Sequence, residues 1–368
     1  MTVLGLSRRS PARAYGRTSA AVLALAVLAG CAPRLSGEAS DRLLAALFAP
    51  PTAAETAQVE AEWAARDTRP RDVRVEQTRD YADGSRVLVV SHTTGAGAAR
   101  HVGAVRLPPR AAGRRLPVLL VGHGGDDGTS LGGFEPGAFA RDWVQVLPAF
   151  RGERLRTGLP LVGAAVRAGG TASPWDRDVD DALAFLSAAL AAVPEADAGR
   201  VAALGRSRGA GVVLLAAARD ARLRAVVSVF GPTDFFLPDV QRLARRALRV
   251  PVRLPGAGFL ADSVLFAVRD GRLPLPEARR ALLRRSPAAF AARLPPVQTH
   301  HGARDTRVPV AHSARLDAAL RAAGRASELF VYPEGRHASR SLAGHRARAE
   351  AFLARAVDLP AVTPSASR

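Results

Sequence analysis

The sequence predicts an α/β fold built on a mostly parallel, doubly wound sheet with antiparallel strands at its start. Short, continuously apolar segments recur at residues 117–121, 143–147, 201–204, 225–229, 296–300 and 328–332. Strands buried on both faces of a parallel sheet have this pattern. Segments with helical periodicity separate most of them, at residues 176–190, 209–219, 310–323 and 339–356. This alternation is typical of helices that cover both faces of one sheet.

The antiparallel start is predicted by a turn signal between two short alternating segments. Residues 73–77 and 86–91 flank Asp83-Gly84, which favours a hairpin, and residues 102–107 supply a third strand. With 368 residues, 48% of them hydrophobic, the chain can bury one large core. We therefore expect a single main domain over residues 71–360, followed by a disordered tail over residues 361–368.

The N-terminus has the features of an export signal. Arginines precede an apolar run at residues 20–29, which is shorter than the ~20 residues of a membrane helix. The next residues, Leu28-Ala29-Gly30-Cys31, resemble the lipobox of bacterial lipoproteins, in which the cysteine becomes the lipidated first residue. We expect a signal peptide over residues 1–30, lipidation of Cys31 and a partly helical tether over residues 31–70. An ordinary secretory signal is the alternative, and Sec and twin-arginine export both stay open.

Composition argues against nucleic-acid partners and against lysine chemistry. The formal net charge is +19, but all 52 basic residues are arginine, which is typical of a high-GC genome. Only 5% of residues are aromatic, so few side chains could stack on bases. The absence of lysine excludes a phosphate-loop lysine and a Schiff-base lysine.

Ser207 lies in the sequence G-R-S-R-G, between an apolar strand that ends near residue 204 and a helix that begins near residue 209. A nucleophile elbow needs this strand–turn–helix context, with glycines where the strand and helix cross closely. A plain tight turn is the alternative. The context favours Ser207 as the nucleophile.

A serine nucleophile needs a base and an orienting carboxylate. Asp305 and His337 follow the last two predicted strands, at the carboxyl ends where open α/β sheets build their sites. The order serine, acid, histidine is that of hydrolases with a nucleophile elbow. Asp305 could instead cap the following helix, and Asp234, one strand earlier, is the rival acid.

The glycine-rich loop at residues 122–128 is the candidate oxyanion hole. It follows a predicted strand, and glycines allow close approach of the backbone to substrate. We assign the amides of Gly125 and Arg208 as donors. A dinucleotide-binding loop is disfavoured because the glycine spacing misses G-x-G-x-x-G. His300 and His301 lack neighbouring carboxylates or cysteines at ligand spacing, so we expect no metal.

These motifs together resemble the α/β-hydrolase domain of the prolyl oligopeptidase group, including its acylaminoacyl-peptidase and dienelactone-hydrolase-like members. The matching segments are H-G-G at 123–125, F-R-G at 150–152, G-R-S-R-G at 205–209, H-G-A-R-D-T-R-V-P at 301–309 and Y-P-E-G-R-H at 332–337. The resemblance implies a Ser-Asp-His triad and no cofactor. The chain departs from the group in lacking room for a β-propeller before this domain, and in the arginines on both sides of Ser207.

Residues 235–289 form a long insertion between two predicted core strands. We expect helices here that act as a lid over the site; a packing insertion away from the site is the alternative. The sequence thus predicts a serine hydrolase of the bacterial cell envelope, membrane-anchored through its N-terminal lipid, that cleaves a small carboxylic ester or short amide. A peptidase, or a catalytically silent binding lipoprotein, are the alternatives.

Overall fold

The computed structural model describes residues 37–95, 99–158, 166–250 and 254–359. The predicted signal peptide, Cys31 and the predicted C-terminal tail lie outside these residues.

A nine-stranded sheet forms the centre of the molecule, in the order β1-β2-β3-β6-β4-β9-β10-β11-β12. Pairing is antiparallel from β1 to β6 and parallel from β6 to β12. The strands of this sheet are β1 (Pro70–Asp80), β2 (Arg86–Thr94), β3 (Arg100–Leu107), β4 (Leu116–Gly122), β6 (Val144–Pro148), β9 (Ala196–Arg206), β10 (Leu223–Val229), β11 (Val297–Gly302) and β12 (Ser327–Tyr332). Each predicted strand has a counterpart in this sheet.

Helices cover both faces of the sheet, and their apolar sides form separate cores with it. The helices are α1 (Gly37–Leu47), α2 (Ala53–Ala64), α3 (Ala138–Asp142), α4 (Arg177–Ala192), α5 (Arg208–Arg219), α6 (Pro238–Ala247), α7 (Ala257–Leu260), α8 (Phe266–Arg269), α9 (Leu275–Leu283), α10 (Ala311–Ala322) and α11 (His345–Ala356). Within the described ranges, none of these helices is both long and apolar enough to span a bilayer.

A second, three-stranded sheet lies beside the first and was not predicted. Its strands are β5 (Thr129–Ser130), β7 (Arg154–Arg156) and β8 (Val166–Arg167). Strands of two or three residues are too short to show a periodic pattern of polar and apolar residues.

The segment expected to be a tether is instead packed on the domain from residue 37 onward. Leu44 and Leu47 of α1 and Val59 and Trp63 of α2 are buried in the larger core. The physical reason is that both helices are amphipathic, and each buries its apolar face against the insertion between β10 and β11. The folded domain therefore begins well before residue 71.

Arg279 of α9 fixes this N-terminal segment. Its guanidinium donates to the carbonyl oxygens of Ala46, Leu47, Ala49 and Pro50 and to the carboxylate of Glu55. The last carbonyls of a helix have no partner within it, so this one side chain satisfies the end of α1. Hydrogen bonds from Arg279 lower the pKa of Glu55 to about 2, against the opposing effect of burial.

Candidate active site

Ser207 lies on the turn between β9 and α5, with φ 53° and ψ −124°. A side chain rarely adopts this backbone region, and the closely packed glycines around the turn make it possible. A Cβ on Gly205 would lie 2.4 Å from the carbonyl oxygen of Gly209, and one on Gly209 would lie 2.2 Å from the backbone of Gly122. The turn has the geometry of a nucleophile elbow.

His337 connects Ser207 to Asp305. Its Nε2 lies 3.0 Å from Ser207 Oγ, and its Nδ1 lies 2.7 Å from Asp305 Oδ2. The ring packs against Phe230, with centroids 4.4 Å apart. The structure thus brings together the three residues that were predicted to form a triad, in the hydrogen-bonded order that a Ser-His-Asp triad requires.

Asp305 is held by the loop after β11. Its Oδ1 accepts hydrogen bonds from the amides of Arg307, at 2.9 Å, and Val308, at 3.0 Å, and Nε2 of buried His301 lies 3.4 Å from its Oδ2. Burial alone would raise the pKa of this carboxyl, but hydrogen bonds from His301, His337 and Val308 hold it well below its usual range. Asp305 is therefore an ionised acceptor facing His337.

Asp234, the rival acid, does not contact His337. Its Oδ2 accepts from Arg315 Nε at 3.0 Å, and its Oδ1 accepts from the Phe236 amide at 2.9 Å. Both oxygens are therefore engaged in holding the start of the insertion and α10. The geometry favours Asp305 as the acid.

The proposed oxyanion donors lie beside Ser207. Gly124, Gly125 and Arg208 line the same cavity as Ser207 and His337. Arg208 is the first residue of α5, so its amide has no acceptor within the helix, and the helix dipole favours negative charge there. His123 Nδ1 lies 3.2 Å from the Gly124 carbonyl oxygen, which belongs to the same peptide group as the Gly125 amide. His123 thereby orients that amide.

A buried polar cluster holds the glycine-rich loop that contains Gly124 and Gly125. The guanidinium of Arg208 contacts Glu153, donates through Nε to Asp178 at 2.8 Å, and donates through Nη1 to the Gly125 carbonyl at 3.0 Å. His123 stacks on Phe150, with centroids 4.3 Å apart, and its Nε2 lies 3.6 Å from Glu153 Oε2. The side chain of Arg208, which follows Ser207, thus holds the glycine-rich loop in place.

Arg206, on the other side of Ser207, is also engaged. It pairs with buried Glu135, with a 2.8 Å bond from Nη2 to Oε2, and donates through Nε to Ser339 at 3.0 Å. The two arginines around the nucleophile therefore bind acidic residues of the domain. Their acidic partners Glu135, Glu153 and Asp178 were not predicted as a set, because they are distant in the sequence and no spacing connects them.

A largely apolar cavity of about 410 Å³ opens above the triad. Helices α6, α7 and α9 and the segments next to them, from the predicted lid, supply much of its wall. Trp175, the end of α1 and the loops around Ser207, Asp305 and His337 line the remainder. The wall residues include Leu47, Phe48, Trp175, Phe235, Leu243, Ala244, Leu260 and Leu265. The insertion therefore lines the site, rather than packing away from it.

The histidines outside the triad have structural contacts. His300 bonds to Tyr332 Oη at 2.9 Å and to Gln298 Oε1 at 2.8 Å. His312 is buried, and it lines the cavity, where its Nε2 lies 3.3 Å from Asp239. In the described part of the chain, no group of three or more His, Cys, Asp or Glu residues is placed to hold a metal ion.

Part of the chain matches a known family. The model of the prolyl oligopeptidase family matches residues 258–358, a segment that contains Asp305 and His337. No curated protein sequence matches the chain. This match confirms the resemblance to the prolyl oligopeptidase group that the motifs indicated.

Solved structures resemble most of the chain. Acetyl xylan esterase 1 from a Thermoanaerobacterium species has a TM-score of 0.60 and 18% identity, over 86% of this chain and 98% of the esterase. The acylaminoacyl peptidase of Pyrococcus horikoshii has a TM-score of 0.52 and 15% identity, over 79% of this chain and 50% of the peptidase. The S-formylglutathione hydrolase of Agrobacterium tumefaciens has a TM-score of 0.51 and 15% identity, over 77% of this chain and 99% of that enzyme.

The structural matches confirm the predicted α/β-hydrolase fold, and together with the family match they support a serine hydrolase enzyme. This chain spans about half the length of the acylaminoacyl peptidase. At these identities the structural likeness concerns the fold, and the activities of these enzymes are their own.

Proposed function

We propose that the chain hydrolyses a carboxylic ester, or a small amide, through an acyl-enzyme formed on Ser207. The observation that carries the proposal is the continuous hydrogen-bonded connection from Ser207 Oγ through His337 to Asp305, at the edge of an apolar cavity. A serine hydroxyl becomes an effective nucleophile when a base takes its proton as it attacks. His337 Nε2 is within reach to do so.

In the first half-reaction, Ser207 Oγ attacks the substrate carbonyl carbon and its proton passes to His337 Nε2. The oxygen of the resulting tetrahedral intermediate carries a negative charge, which the amides of Gly125 and Arg208 and the N-terminus of α5 stabilise. Asp305 fixes the proton on Nδ1 and stabilises the imidazolium. The bond to the leaving group then breaks, and His337 protonates the departing oxygen or nitrogen.

In the second half-reaction, water attacks the acyl carbon and gives its proton to His337 Nε2. The bond from the acyl carbon to Ser207 Oγ breaks, the carboxylic acid leaves, and the proton returns to Ser207 Oγ. The same donors stabilise the second oxyanion. The cycle thus restores the residues to their starting state with water as the only co-reactant.

A peptidase is the second candidate, because the family match is to prolyl oligopeptidases. Esters are favoured by the wall of the cavity. A polypeptide is held by backbone partners or by an acidic group that binds its amino terminus. Among the described residues that line the cavity, the acidic side chain is Asp239, and it already pairs with His312.

Fluorophosphonate labelling and a substrate panel test the proposal. The full chain should be labelled at Ser207 and should cleave short-chain p-nitrophenyl esters, whereas Ser207→Ala should lose labelling and on the order of 10³-fold or more of kcat. Ser187→Ala, a serine of α4 outside the cavity lining, is the matched control, because the Ser187 hydroxyl donates to the Leu183 carbonyl within its own helix. Near-normal turnover by a folded Ser207→Ala variant would exclude Ser207 as the nucleophile. Failure to label wild type would favour a catalytically silent binding lipoprotein.

Comparison of kcat/KM across matched acyl esters, aminoacyl amides and tetrapeptide amides separates esterase from peptidase. We expect the esters and small amides to be faster. A clear preference for tetrapeptides would make the chain a peptidase without changing the assigned triad.

We also propose that the enzyme works at the bacterial cell envelope, anchored by lipid on Cys31. The support is the sequence Leu28-Ala29-Gly30-Cys31 after an arginine-rich and then apolar segment. Since a single acyl chain binds membranes only marginally, stable anchoring requires the several chains that a lipoprotein cysteine carries.

A further inference from the structure

The cavity above Ser207 is larger and more apolar than a small acyl group requires. Its volume is about 410 Å³, within the range of roughly 300–1,000 Å³ that holds drug-sized ligands. If each heavy atom takes about the 30 Å³ that a water molecule occupies in the liquid, this volume accommodates roughly a dozen atoms. An acetyl group would leave most of it unfilled.

The arginines of the lining are close to the triad residues in the sequence. Arg206 and Arg208 flank Ser207 in the chain, and Arg307 lies two residues after Asp305. Asp239 and His312 also line the cavity, and they pair with each other. His312 Nδ1 accepts a hydrogen bond from the Thr233 amide at 3.1 Å, and its Nε2 lies 3.3 Å from Asp239. Among the described residues, the cavity lining therefore offers no unpaired carboxylate to a polar substrate.

Two parts of the chain that are far apart in the sequence build the apolar wall of the cavity. Helix α6 and the helices after it contribute Leu243, Ala244 and Leu265, and the end of α1 contributes Leu47 and Phe48. Leu47 and Phe48 are buried, and Arg279 holds the carbonyl of Leu47 and its neighbours. The N-terminal segment is thus part of the substrate pocket.

We infer that this cavity binds an apolar acyl chain of about six carbons or more, so that the natural substrate is an ester of a medium- or long-chain fatty acid or of a comparably apolar acid. The inference rests on the proposed function and adds the substrate class. The acyl group, unlike the alcohol, stays bonded to Ser207 through both half-reactions. The apolar wall of the cavity is therefore used best by the acyl group.

The test is the dependence of kcat/KM on acyl length, measured on the full chain with p-nitrophenyl acetate, butyrate, hexanoate and octanoate below micelle-forming concentrations. Burial of each methylene favours binding by about fourfold, and we expect kcat/KM to rise at least tenfold from acetate to octanoate. A second series keeps the acetyl group and lengthens the alcohol. A flat or falling acyl profile, or a rise in the alcohol series alone, would overturn the inference.

The outcome is distinguishable from failure of the proposed function. Fluorophosphonate labelling of Ser207 and acetate turnover without a rise in the acyl series contradict only the acyl-chain inference. Absence of labelling and of turnover on every ester contradicts the proposed function itself.

A matched pair of variants locates the effect on α6. Ala244→Phe places a ring in the cavity and should lower the octanoate-to-acetate ratio of kcat/KM at least tenfold. Arg246→Phe adds the same ring on the exposed face of the same helix and should keep the wild-type profile. If Ala244→Phe does not fold, the labelling rate of the wild-type chain by alkyl fluorophosphonates still tests the inference. That rate must rise as the alkyl group lengthens from methyl to octyl. Equal loss of octanoate preference in both variants would also overturn the assignment.

Discussion

Arg208 and Glu153 form an almost fully buried ion pair behind the turn that carries Ser207. The same guanidinium lies 2.7 Å from Asp178, so one cation faces two buried carboxylates. Burial raises the pKa of Glu153 to about 7 and that of Asp178 to about 6, although attraction to Arg208 works in the opposite direction. Burial also lowers the pKa of His123 to about 3, so His123 is neutral. Glu153 therefore keeps its proton up to a higher pH than an isolated glutamate would.

The first prediction is that this cluster destabilises the protein as the pH rises. Because the pKa of Glu153 is raised from 4.5 to about 7, the folded state holds its proton more tightly than the unfolded state. The stabilisation is fully present below pH 4.5 and is lost as the pH rises to about 7. Glu153→Gln removes this titration, so its free energy of unfolding relative to wild type should increase by on the order of 2 kcal/mol between pH 4.5 and pH 8.

Denaturant unfolding at pH 4.5, 6 and 8 measures the effect. Glu334→Gln is the control, because Glu334 forms an exposed pair with Arg304 and should show little pH-dependent difference. If Glu153→Gln instead loses stability relative to wild type as the pH rises, Glu153 is an ionised partner of Arg208 and the raised pKa is wrong.

The second prediction concerns the triad acid. Asp305→Asn should lower kcat by about 10³- to 10⁴-fold, because an amide cannot accept the His337 Nδ1 proton and stabilise the imidazolium equally well. Asp234→Asn should stay within a few fold of wild type, since Asp234 binds Arg315 and the Phe236 amide instead of His337. Ester turnover and circular dichroism of both variants test this. A larger loss in Asp234→Asn, with its fold intact, would exchange the two roles.

The core of this fold and the positions of the candidate triad residues at strand ends could be predicted because the signals are local. The parallel strands contain short runs rich in apolar residues, and Ser207, Asp305 and His337 each lie within a few residues of the end of a strand. The elbow glycines, Gly205 and Gly209, are required by close backbone approach, so they mark the turn in the sequence itself. These features do not depend on knowing which distant residues meet.

The residues that hold the glycine-rich loop and the N-terminal segment could not be predicted, because their role depends on contacts between parts of the chain that are far apart in the sequence. Glu153 and Asp178 reach Arg208 across 55 and 30 positions of sequence. Arg279 reaches the end of α1 across 233 positions. An arginine with a distant acidic or carbonyl partner looks like any surface arginine in a chain with 52 of them. For the same reason, the helices of the predicted tether were not recognised as part of the folded domain, because the surface that they pack against belongs to the distant insertion.

The third prediction concerns the N-terminal lipid. In the bacterial host, the mature wild-type chain should begin at Cys31, carry lipid mass and partition with membranes, whereas Cys31→Ser should appear in the soluble fraction or remain unprocessed. Ser36→Ala, close by in the predicted tether, is the control and should leave processing unchanged. Intact mass of the mature protein and membrane fractionation measure the outcome. A wild-type mature protein without lipid mass at its N-terminus would disprove the anchor.

The last prediction is that Arg279 both stabilises the N-terminal segment and keeps Leu47 and Phe48 in the wall of the cavity. Arg279→Leu leaves four carbonyl oxygens near the end of α1 and the carboxylate of Glu55 without their partner. Breaking a buried charge-assisted network costs about 3 kcal/mol or more, which should appear as a lower denaturation midpoint. Loss of the α1 contact should also release Leu47 and Phe48 from the cavity wall.

Arg272→Leu is the matched control, because Arg272 forms an exposed pair with Asp270 and should change stability by no more than about 1 kcal/mol. Limited proteolysis followed by mass spectrometry tests the mechanism: Arg279→Leu should be cleaved within residues 37–64 much faster than wild type, while the rest of the chain stays resistant. Since the triad is built on β9, β11 and β12, turnover of acetate esters should fall less than turnover of octanoate esters. Equal loss on both esters, or unchanged protection of residues 37–64, would show that the segment and the pocket are independent.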